Sequence, residues 1–225
     1  MKFGMAGVSV FLAMPTNRDL PAQTVISLLE TQKALHEKNI PLRVHMEVGG
    51  SLVHHSRTAL VHQFLKTDFT RMFCVDSDIT WKPSEFLKLL ALSTKMEVVC
   101  GAYPTKTTPS VFFIRHEDGD LESNEFGCLP IKGAGLGFTV IQRKVIEELY
   151  AKAPLRKYPW SEELIPKVFR QDEEGIEERG EDMAFFSDIR GLGYSINLDP
   201  SITLGHIGPH VHSGSVSDMM EPVKA

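Results

Sequence analysis

Two aspartates one residue apart, Asp76 and Asp78, follow directly on the apolar run Met72-Phe73-Cys74-Val75. Carboxylates this close repel each other, and a divalent cation is the usual opposite charge that lets both stay ionised. Such a cation keeps coordination positions for diphosphate oxygens and stabilises charge on a leaving phosphate. The plainer reading of Asp76-Ser77-Asp78 is a turn, with one aspartate capping the helix that Pro83 opens.

Four more groups are candidates for chemistry. Glu181 and Asp182 precede the apolar helical face of Met183, Phe185, Phe186 and Ile189. Acids at a helix start suit the dipole, and a carboxylate there can also serve as a general base for an acceptor hydroxyl. His206 follows Ile202-Thr203-Leu204, and a neutral imidazole is a good third ligand beside Asp76 and Asp78. His210 and His212 share its neighbourhood, whereas His54, His55 and His62 lie on one helix and read as surface or packing residues. Lys132, Gly133, Ala134 and Gly135 let backbone approach a ligand closely, or simply permit a tight turn. They do not form a phosphate loop, because G-x-x-x-x-G-K-[ST] is absent. Arg57 can reach a diphosphate or base, or can be an ordinary ion-paired arginine.

The elements that must position these groups alternate. Strand patterns cover residues 7–12, 42–48, 72–75 and 98–101, and helical patterns cover 21–38, a stretch capped by Ser51, and 83–93. This βαβαβαβ order implies a largely parallel sheet with helices on both faces, and ligands in such sheets bind beyond the carboxyl ends of the strands. That rule puts Pro15, Thr16, Asn17, Arg18, Gly49, Gly50, Asp76, Ser77, Asp78, Tyr103 and Lys106 on one rim. The second half is less regular, with strand patterns at 111–114, 136–141 and 194–198 and helices at 143–150 and 182–190. Residues 153–180 form a charged, proline-bearing excursion that folds over substrate or stays solvated. The tail from Gly208 reads as mobile.

The chain has 225 residues, 42% hydrophobic and 24% charged, with a formal charge of −5. That is the composition of a soluble domain with a sizeable core, and its acidity argues against a nucleic-acid or anionic-membrane binder. No apolar run is long enough for a membrane span. The start, with Lys2 before an apolar stretch, is weakly like a signal peptide, but it reads better as a first core strand. Cys74, Cys100 and Cys128 read as buried thiols in a reducing, cytoplasmic setting. One domain over 1–225 is expected, with a regular half at about 1–130 and a less regular half at about 131–225.

The stretches SLVHHSRTALVHQFL, MFCVDSDITWKPSEFLKLL, VVCGAYPTK, KGAGLGFTVIQRKVIEEL and GEDMAFFSDIRGLGYSINLDPSITLGHIG together resemble, in order, the compact GT-A glycosyltransferases with a DxD motif found in viral and bacterial genomes. The resemblance implies a single-domain α/β GT-A fold, Rossmann-like, with a mostly parallel central sheet flanked by helices. It implies transfer of a sugar from a nucleotide-diphosphate sugar of UDP or GDP type, bound by the half at about 1–130, to an acceptor hydroxyl at the acceptor and catalytic half, about 131–225, with inversion suggested by an available base. On that reading Asp76, Asp78 and His206 hold Mn2+ or Mg2+. Pro15, Thr16, Asn17, Arg18, Arg57, Ser77, Lys106, Gly133 and Ala134 bind the donor, Asp182 is the catalytic base, and Glu181 supports the acceptor. Two rivals stay open. MFCVDSDIT also resembles the D-x-D-x-T motif of haloacid-dehalogenase-type phosphatases, with Asp76 as nucleophile, and the fold could serve a non-catalytic nucleotide-sugar or glycan-binding module.

Overall fold

A computed structural model describes residues 4–117, 122–174 and 177–220. Its strands are β1 (Val10–Thr16), β2 (Leu42–Val48), β3 (Arg71–Val75), β4 (Ile79–Trp81), β5 (Val98–Cys100), β6 (Ile114–His116), β7 (Leu129–Ala134) and β8 (Phe138–Gln142). They continue with β9 (Leu155–Lys157), β10 (Leu164–Pro166), β11 (Asp172–Glu174), β12 (Glu177–Arg179), β13 (Ile196–Leu198), β14 (Leu204–Ile207) and β15 (Val211–Gly214). The helices are α1 (Ala22–His36), α2 (Val53–Leu65), α3 (Pro83–Leu92), α4 (Arg143–Lys152) and α5 (Glu181–Gly191).

The central sheet has 8 strands in the order β2-β1-β3-β8-β5-β13-β7-β6. Six of them run one way, while β8 and β7 run antiparallel to their neighbours. The sheet is therefore mostly parallel in direction but mixed in pairing, because β8 is inserted between β3 and β5. Both faces are covered, which is why β1 reads as an unbroken apolar run. Its Phe11 and Ala13 pack with Phe64 of α2, Ile146 of α4 and Phe185 of α5. Its Val10, Leu12 and Met14 pack with Leu28 and Leu35 of α1 and Phe86 and Leu89 of α3.

A second, 3-stranded sheet, β15-β14-β4, stands at the carboxyl rim. Its strand β4 directly follows the aspartate pair and is held by an unusual helix face. The buried hydroxyl-bearing residues of α1 bond it: Thr24 Oγ1 donates to Ile79 O at 3.1 Å, Ser27 Oγ accepts from Trp81 N at 3.1 Å, and Thr31 Oγ1 accepts from Trp81 Nε1 at 2.8 Å. Buried polar groups with partners at both ends rigidify what they join. This explains why Ile26 and Leu29 of α1 point outward, 54% and 59% exposed.

Several expectations are corrected. The first strand begins at Val10 and runs through Thr16, so Pro15 and Thr16 are strand residues rather than a turn. Ser51 does not cap α2, whose N-cap is Leu52, with no side-chain cap bond. No aspartate caps α3, which starts after Lys82. Gly133 and Ala134 lie inside β7 rather than in a glycine loop. Gly191 ends α5 from within, and α5 starts at Glu181. The tail is paired as far as β15 and a 3-10 turn, Val216–Met219. The excursion is anchored, with Val168 and Phe169 buried and Phe169 stacked on Phe185 at 4.2 Å.

Candidate active site

The rim of the sheet carries a cleft of about 480 Å³ lined by Pro15, Thr16 and Asn17 of the β1 end, Ser51, Ser56 and Arg57 around the start of α2, Asp76, Ser77 and Asp78 after β3, and Glu181 and Asp182 of α5. That is an ordinary size for a small-molecule site. Arg18 is exposed and does not line it. Gly133 and Ala134 are buried in β7, where Gly133 lies against Met183 and Phe186 of α5, so its missing side chain serves packing there.

Arg57 organises one end of the cleft. It is a buried guanidinium whose Nη2 reaches Asp76 Oδ1 at 2.8 Å, while Nη1 pairs with Asp182 Oδ1 and lies 3.5 Å from Glu181 Oε1. Burial works against its charge, but Asp76, Tyr103 and Glu181 outweigh burial and hold the proton more firmly than usual. Asp182 is gripped a second time, by the backbone N–H of Leu136 at 3.1 Å. The other oxygen of Asp76 accepts from Tyr103 Oη at 3.3 Å, and Tyr103 Oη accepts from Gly137 N at 3.4 Å. A side chain on Gly135 would collide with the Tyr103 hydroxyl, and one on Gly137 with the Asp76 carboxylate. These two glycines keep open the space in which Asp76 is held. Tyr103 sat on the expected rim, at the end of β5, but its role is invisible without the glycine contacts.

Asp78 stands at the other end with His206. The register of β4 and β14 places His206 opposite Ile79, and Ile207 N donates to Asp78 O at 2.8 Å. His206 Nδ1 donates to the Pro104 carbonyl at 2.8 Å, so Nε2 is the nitrogen that carries a lone pair when the ring is neutral and a proton, free to bond Asp78, when the ring is charged. That Nε2 lies 3.4 Å from Asp78 Oδ2, and Lys106 Nζ pairs with the same oxygen. Burial alone would raise the Asp78 pKa, but bonds from His206 and Lys106 prevail and bring it down to about 2. Asp78 therefore stays ionised throughout neutral pH and prefers a cation beside it. Among the described residues no three His, Cys, Asp or Glu side chains already converge as a metal cage; Asp78 and His206 are the pair that approaches one. Their chemistry, one carboxylate oxygen and one imidazole lone pair with a lysine ammonium standing where positive charge is wanted, fits a Mn-like ion.

Thr16 lines the cleft, and its buried Oγ1 has no hydrogen-bond partner among the described residues. A buried hydroxyl without a partner is costly and marks a place where a ligand's polar group would be welcome.

The frame and its rim cleft define a glycosyltransferase-like α/β fold of the GT-A kind. Two solved structures are similar to it in fold. A197 from STIV superposes with a TM-score of 0.59 at 22% identity, over 93% of this chain and 91% of that one. GalNAc-T7, solved with UDP, GalNAc and Mn2+, superposes with a TM-score of 0.50 at 11% identity over 89% of this chain. This chain spans only 44% of the length of GalNAc-T7. No family model and no curated protein matches the sequence.

Proposed function

We propose that the protein is a metal-dependent glycosyltransferase that moves a sugar from a nucleoside diphosphate sugar, of UDP or GDP type, to an acceptor hydroxyl with inversion. The observation that carries this reading is the Asp78–His206 pair, 3.4 Å apart at the mouth of the rim cleft, with the imidazole tautomer fixed by Pro104. Asp78 and His206 would hold Mn2+ or Mg2+, and each Asp76 oxygen keeps a second lone pair with which it can join them. A cation bound there supplies Lewis-acid stabilisation of the departing diphosphate.

The chain's own groups divide the remaining work. Thr16, Asn17, Ser51 and Ser56 take the nucleoside end, where the unpartnered Thr16 hydroxyl supports a polar contact to the ligand. Arg57 holds Asp76 and Asp182 in place, with Lys106 as a cation for the diphosphate. In the transfer the acceptor oxygen bonds to the anomeric carbon as the bond to the diphosphate oxygen breaks, and the acceptor proton passes to a carboxylate. Asp182 and Glu181 are the carboxylates placed to take that proton as bases. Both oxygens of Asp182 are already engaged, Oδ1 by Arg57 and Oδ2 by the Leu136 N–H, so neither is turned freely toward an acceptor. Glu181, more loosely held at 3.5 Å from Arg57, is the carboxylate we assign to take the proton. Three buried free thiols support a reducing, cytoplasmic setting, and among the described residues no helix is long and apolar enough to cross a membrane.

The phosphatase reading is disfavoured because its nucleophile, Asp76, has one oxygen on Arg57 and the other on Tyr103. The deciding experiment incubates the protein with a panel of nucleotide sugars and Mn2+, and measures release of nucleoside diphosphate. The reading expects release dependent on Mn2+ and reduced at least ~10²-fold by Glu181→Gln. Mn2+-dependent nucleotide binding without release under any acceptor would leave a binding module; hydrolysis of a simple phosphate ester through Asp76 would leave a phosphatase.

A further inference from the structure

Lys106 Nζ pairs with Asp78 Oδ2, the same oxygen that faces His206 Nε2 at 3.4 Å. A divalent cation joining Asp78 to His206 needs that oxygen. Two cations in contact with one oxygen repel each other strongly in a half-buried setting, so they must take turns. The lysine is nevertheless tethered to the rim. Its stem lies where a side chain on Gly208 would touch it, the adjacent Thr105 N donates to Val111 O at 2.7 Å, and Pro104 O accepts from His206 Nδ1 at 2.8 Å. The loop is thus fastened on both sides, while a four-carbon chain lets the ammonium swing without moving the backbone. When Lys106 leaves Asp78, the strongest partner within its reach is an anion bound beside the incoming cation.

Resting on the metal-dependent reading above, we propose that Lys106 and the divalent cation are alternative partners of Asp78, and that cation entry releases Lys106 to grip the diphosphate. In the free protein the ammonium neutralises Asp78 and opposes metal binding. With nucleotide present the same ammonium gains a new anionic partner, so that its displacement is no longer unfavourable. Cation and nucleoside diphosphate therefore bind synergistically, and by linkage each raises the other's affinity by the same factor. One side chain acts with opposite sign in the two situations, which an ordinary structural lysine would not do.

The test is a titration of aqueous Mn2+ followed by electron paramagnetic resonance, on the wild-type chain, Lys106→Met and Asp78→Asn, each alone and with UDP or GDP. The wild type should bind Mn2+ weakly alone and at least about 10-fold more tightly with nucleotide. Lys106→Met should bind Mn2+ alone about 5-fold more tightly than wild type and lose most of the nucleotide enhancement. Asp78→Asn should lose binding in both conditions. Unchanged or weaker Mn2+ binding by Lys106→Met, or an undiminished nucleotide enhancement, overturns the alternation while loss of binding in Asp78→Asn leaves the metal-dependent reading standing. Absence of Mn2+ binding in the wild type, with and without nucleotide, overturns both.

Discussion

Arg57 is a cation buried among three carboxylates, and its loss would leave Asp76 and Asp182 facing each other across a cleft with their charges unmatched. Removing one partner of a buried pair costs about 3–5 kcal/mol, much of it from the charge left behind. Arg57→Met should therefore lower unfolding free energy by about that amount in urea denaturation, and an unchanged midpoint would mean that water already solvates the two aspartates. Gly137→Ala tests the same carboxylate from the other side. A methyl group there meets Asp76, so the loop or the aspartate must shift. A loss of about 1–3 kcal/mol is expected, together with weaker nucleotide binding. Binding and stability equal to wild type would show that the space between Gly137 and Asp76 has no positioning role. Part of this was legible in the chain itself, since an apolar run ending in two acids suits a strand that stops at Val75 on the carboxyl edge of the sheet. The environment of Arg57 was not, because its partners Asp76 and Asp182 lie 19 and 125 residues away, and no local pattern encodes a contact that distant.

At the scale of elements, the long helices and strands followed their periodicity, and Leu42–Val48 coincides with its expected bounds. The misses have physical causes. Strands β4 and β14 are 3 and 4 residues long, too short for alternation to register, and they pair across more than a hundred residues of chain. Strand β7 was hidden by Pro130 and Gly133, residues that ordinarily break strands. Here Pro130 sits where β7 pairs with β13, and Gly133 makes room for α5. The excursion between α4 and α5 read as either folding over substrate or staying solvated because its charges outnumber its anchors, and Phe169 is fully buried against Phe185. Phe169→Ala should cost about 3–5 kcal/mol and make residues 153–180 susceptible to limited proteolysis. Trp160→Ala, at a position 39% exposed, should cost far less. Equal effects of the two would show that the excursion is not held by its core contact.

At the scale of the whole molecule, the two-faced core places Cys74, Cys100 and Cys128 out of reach of water. Burial pushes the Cys74 and Cys128 thiols up to about 12 and drives Cys100 upward as well. A raised thiol pKa means less thiolate at a given pH, so reactivity should stay low from pH 7 to well above the range of an ordinary cysteine. Ellman's reagent at pH 8 should find almost no reactive thiol in the native protein and 3 after denaturation. A rapidly reacting native thiol would mean that the sheet opens around it. The same sheet carries the cleft at its carboxyl rim and β4 and β14 on its shoulder. In this way the α1 hydroxyls that fasten β4 help to decide where Asp78 meets His206.

The most direct measurement is anomalous diffraction at the manganese edge from a crystal soaked with Mn2+ and UDP or GDP. The account predicts a single strong peak in contact with Asp78 and His206 Nε2, bridging to diphosphate oxygens in the rim cleft, with Lys106 moved off Asp78. Nucleotide density in that cleft with no peak beside Asp78, and with Lys106 still paired to it, would contradict the account.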